Sequence, residues 1–274
     1  MKNKLINIFL ILALVAGLSL LLYPTVSDYW NSLHASQAVA SYDQAVKSMD
    51  EGKYDELLQR AGQYNRDLFL RGTLFALTDE EREDYNSQLA IDGSGVMGYI
   101  EIPTIKVSLP IYHGTSEEVL MAGVGHLEGT SLPVGGTSTH CVLTAHSGMR
   151  NLSMFDDIHS LEPGDLVLLH TMNKTLAYKM VDSEVVLPEE MESLTIEPGA
   201  DKVTLVTCTP YGVNSHRMLV RGHRVDNQSE AVRLTADAIR IDPLLVAPIA
   251  AIPLLLALLL LLAAAPKKKS RDDT

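Results

Sequence analysis

A chain of 274 residues has room for one medium-sized domain with extensions at its ends. Its formal net charge of −12 argues against a nucleic-acid binder, because such proteins need a basic surface to neutralise phosphates. Basic residues stand at the two termini, at Lys2, Lys4 and the run Lys267–Arg271, so the middle of the chain is more acidic than the total indicates.

Residues 1–27 begin the chain with an apolar stretch, Leu5–Leu22, that only Asn7 and Ser19 interrupt. About 20 apolar residues in a helix cross a hydrocarbon core of roughly 30 Å. The segment is therefore predicted to be an uncleaved signal anchor. A cleaved signal peptide is the alternative, although the residues that follow, Tyr23–Ser27, are a poor small-residue cleavage site.

A second apolar stretch, residues 244–265, carries no polar side chain and precedes a basic tail, residues 266–274. It is predicted to be a transmembrane helix, because a membrane span tolerates Pro248 and Pro253 better than a soluble helix does. A buried core helix is the alternative. Since basic residues flank both spans on their terminal sides, both termini are placed in the cytoplasm and the residues between the spans outside the cell. Residues 226–243 are interpreted as a polar tether.

Between the first span and the central domain, residues 28–95 are predicted to be a helical extension. Apolar residues recur at three- and four-residue steps over Asp28–Arg71, and Gly52 divides this run into two helices. The periodicity is lost over Thr73–Gly95, where Thr78–Tyr85 is rich in acidic residues. That stretch is interpreted as a connecting loop or short helix.

Residues 96–225 have the pattern of a β domain. Short segments rich in Val, Ile, Leu, Thr and Tyr alternate with clusters of Gly, Pro and Asn, and no spacing typical of βαβ units occurs. A closed or sandwiched antiparallel β fold is expected. The predicted strands are Tyr99–Ile102, Val107–Tyr112, Cys141–His146, Asp165–Leu169, Leu176–Val181 and Val203–Cys208.

Several familiar sites are excluded by their missing motifs. The sequence has no Gly-x-Ser-x-Gly elbow, no phosphate-binding Walker loop, no His-Glu-x-x-His and no Cys-x-x-Cys. His140 and His146 are six residues apart, a spacing without strong metal precedent. No metal and no cofactor are expected.

Cys208 ends an apolar predicted strand, and Pro210 stops the strand shortly afterwards. A side chain at a strand end is held rigidly and faces an opening, which suits a nucleophile. Arg217 begins the next short strand, so a two-strand hairpin would place its guanidinium beside the thiol, where it favours thiolate and can stabilise an oxyanion. The alternative is that Cys208 is an ordinary buried cysteine and Arg217 an ordinary surface arginine. The residues alone slightly favour this alternative.

His146 is one of nine histidines, and composition cannot select the acid–base partner among them. Its position at the end of the predicted strand Cys141–His146 is the one local argument for it. By the two-residue alternation of a strand, Cys141 and His146 point to opposite faces, which indicates that Cys141 faces the core as a small hydrophobic residue. In an exported domain, a disulfide between Cys141 and Cys208 is the alternative.

The segments around these residues resemble the sortase family. Thr204–Cys208 is similar to the family's T-L-x-T-C signature, Leu143–His146 to its histidine strand, and Arg217 stands at its arginine position. The similarity is to class C, the pilin-polymerising sortases, and runs almost continuously from Met97 to Arg224. Its longest stretches are Leu109–Thr115, Gly123–Gly136 and Thr207–Arg217.

This resemblance implies an eight-stranded sortase-type β-barrel with N-terminal helices, flanked by two transmembrane helices. It implies that Cys208 attacks the Thr–Gly bond of a Leu-Pro-x-Thr-Gly sorting signal and forms a thioacyl enzyme. His146 would act as general acid and then base, and Arg217 would hold the substrate and the oxyanion. In class C the resolving amine is typically a pilin lysine.

The partners implied are the cell membrane and pilin or surface-protein substrates of Gram-positive bacteria, with no nucleic acid. Two other functions stay open at this point. One is a sortase that attaches surface proteins to the cell-wall peptide, and the other is a catalytically silent membrane-anchored binding module.

One region departs from class C, whose members usually carry an Asp-Pro-aromatic lid before the barrel. Here Asp79 is a candidate lid aspartate, but no Pro and aromatic follow it directly. The segment Thr73–Gly95 is therefore predicted to be a loosely held gate, because unpaired carboxylates are expensive to bury. Asp79 could pair with Arg217, or it could lie in a solvated loop far from the site.

Overall fold

The computed structural model of the chain describes residues 2–71, 77–91, 93–149 and 153–226. Among the described residues, those up to Pro24 belong to one compact unit and those from Thr25 to Asp226 belong to a second. The predicted C-terminal span 244–265, the basic tail 266–274 and all of the tether except Asp226 lie outside the described residues.

Two long helices precede the barrel, as the periodicity predicts. Helix α1 spans Lys2–Ser48 and α2 spans Glu51–Arg71. The break falls before Gly52 rather than at it, because the Asp50 side chain accepts a hydrogen bond from the Gly52 backbone N–H at 2.8 Å and so caps α2. Among the described residues, one helical stretch, Phe9–Ser48, is long and apolar enough to cross a membrane.

The central domain contains eight strands: β1 Val96–Ile102, β2 Val107–His113, β3 Val124–His126, β4 Thr139–Thr144, β5 Leu166–Thr171, β6 Lys174–Val186, β7 Asp201–Thr209 and β8 His216–Val225. They form a closed barrel in the order β1-β2-β3-β4-β7-β8-β6-β5. A short helix α4, Glu117–Ala122, connects β2 to β3.

The barrel confirms the closed form of the predicted β domain but corrects its purely antiparallel pairing. Strands β2 and β3 pair in parallel, and so do β4 and β7. The α4 connection allows β3 to run in the direction of β2, and β4 and β7 are separated by more than 50 residues of chain. Strand β3 was not predicted, since three residues are too short for an alternating pattern.

The strands β4, β7 and β8 form a wall with two different faces. Their inward residues include Cys141, Leu143 and Leu205, which belong to the main hydrophobic core. On the outward face, Val142, Val206 and Leu219 form a second buried cluster with Leu194 of the β6–β7 connection. The active-site candidates lie at one end of this outward face.

The acidic segment before the barrel forms a third helix, α3, at Asp79–Ser87. The Thr78 hydroxyl and the Glu81 carboxylate form a capping box at its start. Tyr85 is fully buried, and its hydroxyl lies 2.9 Å from His126 Nδ1 and accepts the Gly114 backbone N–H at 3.0 Å. The prediction of a loosely held segment is therefore wrong for α3, because one aromatic side chain anchors it to the barrel. Residues 73–76 and 92 of the predicted gate lie outside the described residues.

Candidate active site

The strand register brings the three predicted catalytic residues into one row. Cys208 on β7 pairs directly with Arg217 on β8, as the hairpin prediction requires. On the other side, Thr144 of β4 pairs with Val206 of β7 in parallel register, so two residues further on His146 and Cys208 reach the same level. Because side chains alternate along a strand, Cys208 and Arg217 share the outward face of the barrel wall with Val206 and Leu219, and His146 follows β4 at the same end of this face.

His146 itself lies two residues past the end of β4 rather than within the strand, which corrects the predicted strand boundary. Side-chain hydrogen bonds continue to join this segment to β7 beyond the end of β4. The Ser147 hydroxyl donates to the Cys208 carbonyl at 2.7 Å, and the Thr207 hydroxyl donates to the Ala145 carbonyl at 2.8 Å. These two side chains fasten the histidine segment to the cysteine strand.

The segment after His146 packs tightly against the turn between β7 and β8. Gly148 has a φ of +82°, and a Cβ at this position would lie 2.9 Å from the Gly212 backbone nitrogen, so a side chain does not fit. The Gly148 N–H donates to Asp156 Oδ1 at 2.9 Å, and the Phe155 N–H donates to the His146 carbonyl at 3.0 Å. The backbone of the histidine is thus held on both sides.

The imidazole of His146 has an available ring nitrogen. Its Nε2 is buried and makes no hydrogen bond to any described residue. The nearest carboxylate oxygen, Glu117 Oε1 at the start of α4, lies 3.8 Å away, which is longer than a hydrogen bond. This nitrogen is therefore not committed to a hydrogen bond within the described part of the protein.

The guanidinium of Arg217 is oriented by the turn that precedes β8. Its Nη1 donates to the carbonyls of Asn214 at 3.2 Å and His216 at 3.0 Å. Its Nε and Nη2 make no hydrogen bond within the described ranges. A planar donor with free N–H groups beside a thiol can bind a carbonyl oxygen or an oxyanion.

The two cysteines occupy opposite environments, and neither is in a disulfide. Cys141 is only 2% exposed, and burial raises its thiol pKa well above the ordinary value. Cys208 is half-buried at the end of β7. A thiol acts as a nucleophile when it can ionise and be reached, so Cys208 is the better candidate.

Asp79 is not brought to the catalytic row. It is fully exposed at the start of α3, and its ion pair is with Arg82 at 3.5 Å. Arg82 also bonds Glu128 across to the barrel at 3.1 Å. The suggested pair with Arg217 is not formed, and the structure supports the solvated alternative for this aspartate.

No group of three or more His, Cys, Asp or Glu side chains that could hold a metal occurs among the described residues.

A closed barrel that presents a thiol, an imidazole and a guanidinium in one row is the framework of a cysteine-dependent acyl-transfer enzyme.

Comparisons with known proteins identify the family. A family model described as the sortase domain matches residues 100–225. The crystal structure of sortase C1 from Streptococcus agalactiae is 48% identical, with a TM-score of 0.69, and the match covers 70% of this chain and all of that chain. The chain belongs to the sortase family.

Two further structures place it in class C. Sortase C of Streptococcus pneumoniae is 38% identical with a TM-score of 0.63, over 69% of this chain and 97% of that one. Sortase C of Clostridium perfringens is 44% identical with a TM-score of 0.62, over 70% of this chain and all of that one. The protein is thus a class C sortase, a cysteine transpeptidase, rather than a catalytically silent binding module.

Proposed function

We propose that the enzyme cleaves a Leu-Pro-x-Thr-Gly sorting signal between Thr and Gly and transfers the new carboxyl end to a lysine amine of a pilin. The observation that carries this proposal is the single row formed by His146, Cys208 and Arg217. Two relatives support the substrate class. The Streptococcus pneumoniae structure addresses pilin substrate specificity, and the structure of the Clostridium perfringens enzyme was solved with the C-terminal cell wall sorting motif.

In the first half of the proposed reaction, the Cys208 thiolate adds to the threonine carbonyl carbon. The developing oxyanion is placed beside Arg217, whose free N–H groups can donate to it. The C–N bond to glycine then breaks as the His146 imidazolium gives its proton to the departing nitrogen. The product is a thioester on Cys208 and a neutral imidazole.

In the second half, the acceptor amine attacks the thioester carbon and His146 takes up its proton. The C–S bond breaks, which returns the thiolate and the imidazolium. The same nitrogen therefore serves as acid and then as base, and its lack of a protein hydrogen-bond partner suits both steps.

The sorting signal is proposed to bind over exposed apolar side chains around the row. Tyr211 and Val213, in the turn after Cys208, are 63% and 69% exposed. Val186, the last residue of β6, pairs with Arg217 and packs with the outward cluster, so it lies on the same face as the row. Apolar surface of this kind beside a nucleophile fits a peptide that contains Leu and Pro.

We further propose that residues 1–27 anchor the enzyme in the membrane, with 28–95 as a helical extension and the barrel, 96–225, outside the cell. The exposed apolar side chains of α1, such as Phe9 and Leu20, support an anchor. The second span 244–265, the tether 226–243 and the cytoplasmic placement of both termini rest on the sequence pattern.

The test is an immunoblot of cell-wall extracts from cells that carry Cys208→Ala, with Cys141→Ser as the matched control. Loss of a high-mass pilin ladder in Cys208→Ala alone supports polymerisation. Loss of wall-linked protein while the ladder remains would instead support attachment of surface proteins to the cell-wall peptide.

A further inference from the structure

The β6–β7 connection, residues 187–200, covers the outward face directly beneath the catalytic row. It starts after Val186, which pairs with Arg217. Its Leu194 packs against Val206 and Leu219, which lie two residues from Cys208 and Arg217 on their strands. The position of this connection therefore decides the shape of one side of the proposed peptide site.

One buried side chain, His140 of β4, ties the connection to the wall. It is 1% exposed. Its Nδ1 lies 2.9 Å from the carbonyl of Thr195, the residue that ends the 3₁₀ turn of the connection, and its Nε2 lies 2.7 Å from the Thr204 hydroxyl on β7. Because a carbonyl only accepts, Nδ1 carries the proton, and Nε2 accepts the Thr204 hydroxyl hydrogen.

An ion pair also joins the connection to β7, but it is exposed to solvent. Lys202 Nζ lies 2.7 Å from Glu197 of the connection, and the Glu197 side chain is 61% exposed. Ion pairs of this type contribute little, whereas a buried hydrogen bond is costly to leave unmade. Burial also lowers the pKa of His140, which favours the neutral form, in which Nδ1–H donates to Thr195 and Nε2 accepts from Thr204. The two ties therefore differ in expected strength.

We propose that His140 is a positioning residue that holds the β6–β7 connection in place as one side of the sorting-signal site. It does not reach the reacting atoms. Its loss is expected to weaken binding of the sorting signal while the reactivity of the Cys208 thiol is retained. This inference rests on the proposed function, since it assigns the connection to the peptide site of that reaction.

The matched variants are His140→Asn and His140→Gln in the full chain. Asn places its amide nitrogen where Nδ1 stands and keeps the bond to Thr195, whereas Gln places its amide where Nε2 stands and keeps only the bond to Thr204. With a quenched fluorescent Leu-Pro-x-Thr-Gly peptide, we expect Gln to raise KM about tenfold at little-changed kcat, and Asn to remain close to wild type.

Alkylation of Cys208 by iodoacetamide is measured in parallel and is expected to be the same in all variants. Glu197→Gln tests the exposed tie and is expected to leave KM unchanged. If His140→Gln folds and has the wild-type KM, or if Asn and Gln are equally impaired, the positioning role is wrong. If the wild-type protein alkylates normally but does not cleave the peptide, the proposed function fails instead.

Discussion

The two faces of the β4–β7–β8 wall each carry one cysteine, and they differ in almost every property that matters for chemistry. On the inner face, Cys141 is enclosed by the main core, and burial raises its thiol pKa. On the outer face, Cys208 is half-buried at a strand end and pairs in register with Arg217. Position on the strand, rather than the residue type, decides which thiol is enclosed and which can be reached by a substrate.

The comparison indicates that substitutions of His146, Cys208 or Arg217, the row on the outer face, should alter catalysis without altering stability. Substitutions of buried residues should lower stability without altering catalysis. Five predictions test this division, from the largest expected effect to the smallest.

The largest effect is expected from the two cysteines themselves. Cys208→Ala should abolish peptide cleavage completely, because no other described residue of the row can form the thioester. Cys141→Ala should keep cleavage and lower the free energy of unfolding by about 1 kcal/mol. Peptide cleavage and urea unfolding measure the two effects. A Cys141→Ala protein that is folded but inactive would break the division.

Arg217→Lys should lower kcat/KM about a hundredfold, because lysine keeps the charge but loses the planar pair of donors. Arg221→Lys is the matched control. Arg221 lies four residues along the same strand, and its guanidinium bonds Asp182 and Glu184 instead of facing the row. Normal activity of Arg217→Lys, or equal losses in both variants, would contradict the role given to Arg217.

Stability should fall as the pH is lowered, because burial lowers the pKa of His126 from 6.5 to about 4. Between these values the unfolded chain binds more protons than the folded chain. This contribution to the free energy of unfolding is therefore complete above pH 6.5 and lost as the pH falls toward 4, by about 3 kcal/mol. Urea unfolding at several pH values should give a shallower dependence for His126→Gln. A pH dependence of the free energy of unfolding that is the same in His126→Gln and wild type would contradict this role of His126.

Tyr85→Phe should lower the free energy of unfolding by about 1–3 kcal/mol, because the Gly114 N–H loses its acceptor. Tyr64→Phe is the control of the same chemistry. The Tyr64 hydroxyl is buried without a hydrogen-bond partner among the described residues, so its removal should be neutral or stabilising. Thermal unfolding distinguishes the two variants, and equal destabilisation would argue against an anchor at Tyr85.

Asp79→Ala should have the smallest effect, with stability changed by no more than about 0.5 kcal/mol and cleavage unchanged. The reason is that Asp79 is fully exposed and, among the described residues, forms an ion pair with Arg82 alone. A several-fold faster alkylation of Cys208 would show instead that this aspartate gates the thiol.

Local features of the site could be predicted from the sequence, and long-range ones could not. The hairpin that pairs Cys208 with Arg217 needs only two adjacent strands and a short turn, and the alternation that buries Cys141 needs only one strand. The level shared by His146 and Cys208 depends on parallel pairing of β4 with β7, which no local pattern indicates. For that reason the choice of His146 depended on family resemblance.

The anchoring of α3 shows a second limit. A run of acidic residues predicts a solvated segment, and its exposed face agrees with this. The single aromatic in that run, Tyr85, was the available signal for a buried contact, but its partners His126 and Gly114 lie on distant parts of the chain. Ser147 and Thr207, which fasten the histidine segment, were missed although each stands directly beside a predicted catalytic residue.

The most direct test of the division between the two faces is to identify the cysteine that carries the acyl group during the reaction. The full-length protein is incubated with a Leu-Pro-x-Thr-Gly peptide without an acceptor amine, quenched with acid, digested and analysed by mass spectrometry. The expected result is a thioester of the peptide's threonine carboxyl on Cys208, which a lysine-containing peptide then removes with formation of an isopeptide bond. An adduct on Cys141, or peptide cleavage without any adduct on Cys208, would contradict the division between the two faces.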